Sequence, residues 1–79
     1  MIEQAASNIH LLILEEASEL NDIDWDNYHV GTHLFVKNAS VEVLSFDMPS
    51  LYPGEGMYSE MISGMTLGCF KLEGGWVFV

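Results

Sequence analysis

The chain has 79 residues, with 12 Asp and Glu against two Lys, no Arg and a formal net charge of −10. That length allows one domain, residues 1–79, with a thin core. The acid excess argues against a conventional nucleic-acid binder, an anionic membrane surface or a phosphorylated ligand, each of which calls for several basic side chains; a hydrophobic content of 49 % argues against disorder.

Residues 2–20 read as an amphipathic helix, because Ile2, Ala5, Ala6, Ile9, Leu12, Ile13, Ala17 and Leu20 share one broad face at 100° per residue. Leu11 and Leu14 point off that face and make a candidate contact surface for a partner or a second copy. Residues 21–27 are a polar, acid-rich connector. Period-two patterning then predicts strands over 32–36 and 41–46, with Lys37-Asn38-Ala39-Ser40 as their turn.

Residues 47–56 hold both prolines and read as a loop, and residues 58–63 as one short helical turn. A second hairpin is predicted from 65–72 and 76–79 around Glu73-Gly74-Gly75, where glycine supplies the positive φ of a tight turn. The expected fold class is α+β: an N-terminal amphipathic helix packed on a small antiparallel sheet of about four strands, arranged as two hairpins with a short helical turn between them. The last strand is apolar on both parities, so a central or covered position is expected for it.

The strongest chemical feature is the acid cluster Glu15, Glu16, Glu19, Asp22, Asp24 and Asp26, with no basic residue before Lys37. On a continued helix Glu15, Glu19, Asp22 and Asp26 would form one ridge; on an extended segment Asp22, Asp24 and Asp26 would share one side. Either arrangement gives a one-sided negative strip suited to a basic protein surface. The loop residues Tyr52 and Tyr58 add side chains of the kind enriched in protein interfaces. The candidate partner-binding set is therefore Glu15, Glu19, Asp22, Asp24, Asp26, Leu11, Leu14, Tyr52 and Tyr58.

Catalytic, cofactor and metal sites are not expected. Asp22-Ile23-Asp24-Trp25-Asp26 opens like a calcium loop, but Asn27 and His33 stand where that loop needs Gly and a bidentate Glu. His29 and His33 on a strand would lie about 13 Å apart, too far to share one ion. Cys69, flanked by Gly68 and Phe70, reads as a buried, inert thiol. A lone cysteine forms no intrachain disulfide, so a reducing cytoplasm is the expected compartment. No basic n-region or long apolar run marks a signal peptide or bilayer span, and the sequon Asn38-Ala39-Ser40 reads as coincidental.

In size and charge the chain resembles the small acidic inhibitors of phages and mobile elements, among them DNA-mimic anti-restriction and anti-CRISPR proteins. The resemblance is one of composition and covers no alignable segment. It implies a non-enzymatic inhibitor that blocks a basic nucleic-acid-binding surface of a defence complex. The alternatives are an immunity or antitoxin protein for a basic toxin, and a self-assembling structural module, such as a homodimer.

Overall fold

The computed structural model describes residues 1–6, 8–45 and 60–78. Among these the chain forms seven strands: β1 (Ile2–Ala6), β2 (Ile9–Leu14), β3 (His33–Asn38), β4 (Leu44–Ser45), β5 (Glu60–Met61), β6 (Thr66–Leu72) and β7 (Gly75–Phe78). Two short 3-10 segments, Ala17–Asp22 and Trp25–Asn27, lie between β2 and β3. A five-stranded mixed sheet has the order β1-β2-β3-β6-β7, and β4 and β5 form a separate two-stranded sheet.

The expected N-terminal helix is absent. The fold is mainly β, not α+β, and no helix of seven or more residues occurs among the described residues. Residues 2–14 instead form the antiparallel β1–β2 pair, with Ile2 opposite Ile13 and Ala5 opposite His10. The run Ile9–Leu14 explains why. It is apolar on both parities and contains two β-branched isoleucines, which suits a strand with two apolar faces better than a helix with one. Leu11 and Leu14, which no single helical face accommodates, each find a place here: Leu14 is completely buried and Leu11 half-buried on the opposite side.

Strand β2 then pairs with β3 in parallel, Leu12 beside Val36. Parallel neighbours need a long crossover, and residues 15–32 supply it. This replaces the expected hairpin between residues 32–36 and 41–46. The backbone leaves β3 at Asn38, whose buried side chain holds the amide and hydroxyl of Ser40 and turns the chain away from the sheet. Of the short helical turn expected over 58–63, Glu60–Met61 is strand, and residues 58 and 59 lie outside the described residues. Strands β6 and β7 are antiparallel across a turn in which Gly74 has φ 94°. Strand β7 is an edge strand rather than a central one, covered on its Trp76 side.

The core lies on one face of the large sheet. Leu12, Leu14, Leu34, Val36, Leu67, Cys69 and Trp76 project from it and meet Ile23 from the crossover and Leu44 and Met61 from the small sheet. Asn38 joins the two sheets: its Nδ2 donates to the Met61 carbonyl at 2.9 Å and the Glu42 carbonyl at 2.8 Å. Alternation along the strands sends Ile2, Ile9, Leu11, Ile13, His33, Phe35, Phe70 and Val77 to the other face. Among the described residues no helix is long and apolar enough to cross a membrane.

Candidate functional site

The acidic residues of 15–26 lie on the crossover, and two devices fix its path. The first is a capping arrangement: Glu19 Oε1 accepts hydrogen bonds from the Glu15 amide at 3.1 Å and the Glu16 amide at 3.0 Å. The other carboxylate oxygen pairs with the Met1 amino group. The second device is aromatic. Trp25 and Tyr28 both meet Trp76 edge-on at 5.7 Å, while Ile23 is buried in the core. The Trp25 carbonyl accepts from Trp76 Nε1 and from Lys71 Nζ, both at 3.1 Å, and Lys71 sits 5.2 Å from the Trp76 ring.

These anchors turn the apolar residues of the crossover inward and its carboxylates outward. Glu15, Glu16, Asp22, Asp24 and Asp26 are exposed, whereas Glu19, within the first 3-10 segment, is half-buried. The four-three-four ridge drawn on a helix does not form, because Ile23 interrupts the 3-10 path with extended backbone. No lysine forms an ion pair with the five outward carboxylates among the described residues.

A cleft of about 390 Å³ separates this crossover from β1 and β2. Glu3, Asp22 and Asp24 give it negative walls, and His10, Asn27, Tyr28, His29 and Thr32 add neutral polar groups. His10 Nδ1 lies 2.5 Å from Glu3 Oε1, and its ring meets Tyr28 edge-on at 5.4 Å. Burial, and then the charges of Glu3 and Asp24, push the Tyr28 phenol above its ordinary pKa. The hydroxyl stays protonated at neutral pH, and the cleft suits a cationic side chain rather than an anion.

Among the described residues no group of three or more His, Cys, Asp or Glu is placed to hold a metal ion. His29 lines the cleft, whereas His33 projects from the opposite face of the sheet, stacked on Phe35 at 4.5 Å. Burial pushes the Cys69 thiol up to about 12, which leaves essentially no thiolate at neutral pH.

Of the residues singled out for partner binding, Glu15, Asp22, Asp24 and Asp26 are all exposed on the crossover, Asp22 and Asp24 at the cleft and Asp26 on the side of Lys71, Glu73 and Trp76. Glu19 caps, Leu14 is core, and Leu11 lies on the other side of the sheet. Tyr52 and Tyr58 lie outside the described residues. Sequence reasoning missed the cleft and the apolar sheet face. The second had a signal in the unbroken apolar run from Leu11 to Leu14. Comparisons with protein-family models, curated proteins and solved structures find no match to this chain.

Proposed function

We propose that this protein is a non-enzymatic binding inhibitor whose acidic crossover occupies a basic, nucleic-acid-binding surface of a partner complex. One observation carries the reading: five exposed carboxylates in twelve consecutive residues, none paired with a lysine among the described residues. With about 2.0 Å of rise per 3-10 residue and 3.3 Å per extended residue, that averages roughly one charge every 5–8 Å, with a gap of about 12 Å between Glu16 and Asp22. A nucleic-acid strand carries one about every 3.4 Å along its axis, the same order of spacing. The strip therefore presents a phosphate-like row to Lys and Arg side chains, and the acid-walled cleft beside it receives one more cation.

The mechanism is occupancy. The crossover is pinned by Ile23, Trp25 and Tyr28, so its carboxylates are pre-positioned and little ordering entropy is lost on docking. Long-range attraction speeds the encounter, and salt weakens it. The phage or mobile-element defence setting suggested by size and charge fits this surface. It would place the protein in the cytoplasm, alongside the complexes that handle nucleic acid.

The test is capture from host lysate at low salt, followed by competition with the captured partner's own DNA or RNA. The expected result is a basic nucleic-acid-binding protein, released by a salt step, whose nucleic acid and this protein exclude each other. The quadruple variant E15K/D22K/D24K/D26K should lose capture at least tenfold while keeping the wild-type circular dichroism. A partner that binds that variant equally well, or that holds its nucleic acid while saturated with this protein, overturns the proposal.

A further inference from the structure

The face of the large sheet turned away from the core is apolar and carries no layer among the described residues. Ile2 and Ile9 are 46 % and 48 % exposed on it. Leu11, Ile13, Phe35, Phe70 and Val77 continue the patch across all five strands. His33 stacks on Phe35 and meets Phe70 edge-on at 5.9 Å, which packs the centre of the face into an aromatic cluster. The crossover and the β4–β5 sheet pack on the other side, where Ile23, Leu44 and Met61 join the core.

Charge distinguishes this face from the rest of the molecule. Ten of the twelve acidic residues are described, and none occupies a strand position on it. Glu3 belongs to the core-side parity of β1, the acids of 15–26 to the crossover, and Glu42, Glu60 and Glu73 lie outside the strands of the large sheet. Lys37, one of only two lysines, does project from it.

We propose that two copies of this chain stack through these faces, forming a four-layer dimer with the acidic crossovers outermost. Two sheets packed face to face lie about 10 Å apart, and each crossover adds about another 10 Å. The acidic layers are then roughly 30 Å apart, beyond the Debye length of about 8 Å at physiological salt, so the charge of each copy does not oppose the contact. Five strands about 4.8 Å apart, contributing about five residues of 3.3 Å each, present a face of roughly 24 by 17 Å. Joining two such faces of about 400 Å² each buries roughly 800 Å² in total, below the roughly 1,000 Å² of a stable specific interface and in the range of a weak, transient one. A two-fold axis places the same apolar patch on both copies, so each face meets its own like. The dimer is accordingly concentration-dependent, and it leaves both acidic strips free.

The experiment is sedimentation velocity of the full chain from 1 to 500 µM, in 0.15 M and 1 M NaCl. The expected mass rises from 8.8 kDa to twice that value, and the dimer fraction does not fall in high salt. The variant I9E/L11E should sediment as a monomer throughout, and D22K/D24K should still dimerise. A mixed sample of isotope-labelled and unlabelled wild-type chain gives an independent reading: contacts between copies should join Ile9, Leu11 and Ile13 methyls to Phe35 and Phe70 rings. A monomer across the whole range overturns the proposal. So does a dimer whose contacts between copies run along β1 or β7 backbone amides.

Discussion

Replacing Asn38 with alanine tests whether the two sheets are held together by one side chain. Asn38 is fully buried. Its Nδ2 serves the Met61 and Glu42 carbonyls, and its Oδ1 accepts from the Ser40 amide at 3.0 Å and the Ser40 hydroxyl at 2.6 Å. In Asn38→Ala the Ser40 hydroxyl still reaches the Glu42 carbonyl, 3.2 Å away, but the Met61 carbonyl and the Ser40 amide lose these partners. Each stranded buried group costs about 1–3 kcal/mol, so stranding two removes about 2–6 kcal/mol. A 79-residue domain has about 4–12 kcal/mol in total, so about half of the stability is at stake. Urea unfolding followed by tryptophan fluorescence reads this directly, because Trp76 is fully buried. With a slope of about 1 kcal/mol/M, the midpoint should fall by about 2 M or more. A loss under about 1 kcal/mol at an unchanged slope would refute the assignment of Asn38 as the joint between the sheets.

Two further outcomes concern single positions. Cys69 should react with a thiol reagent at pH 8 about a thousandfold more slowly in the folded chain than in urea, because burial raises its pKa from 9.0 to about 12. Between those values the folded state retains a proton that the unfolded state has lost. Stability therefore falls by about 1.4 kcal/mol per pH unit above pH 9, a slope that urea melts of Cys69→Ala should lack. Gly64 has φ 84°, and nothing lies within 4 Å of the place a Cβ would take, so Gly64→Ala adds backbone strain without a clash. It should cost about 1 kcal/mol, a fall of about 4–8 °C in Tm, and Gly64→Asn should cost less.

The sequence reveals the solvent-facing chemistry of this molecule better than its layering. Charge in a small domain has to remain in water, so the run of acids from Glu15 to Asp26 marks an outward surface whether the chain there is helical, 3-10 or extended. The N-terminal strands are harder to read. Ile2, Ile9 and Ile13 fall on one side of both a helical wheel and a strand pair, and what separates the two readings is Leu11 and Leu14, which only alternation accommodates. The parallel β2–β3 contact depends on a partner 24 residues away, Ile9 beside His33, which no local pattern encodes. Asn38 has the composition of a turn residue and the environment of a core residue. Its role emerges only when Met61, distant in sequence, is brought against it.

The crossover has a consequence for how such a protein can change. Up to Val30 its backbone contributes no rung to the large sheet; only Gly31 and Thr32 exchange backbone hydrogen bonds with Lys71 of β6, and the rest is held by a few inward side chains, chiefly Ile23, Trp25 and Tyr28. The intervening positions Asp22, Asp24 and Asp26 are exposed. On the proposed reading, recognition is thus written on a segment largely separable from the scaffold. Its charges can drift, be reversed or be exchanged for another loop with the same three anchors while the strands keep their register. That makes residues 15–30 a natural grafting site for placing a different surface on this small domain.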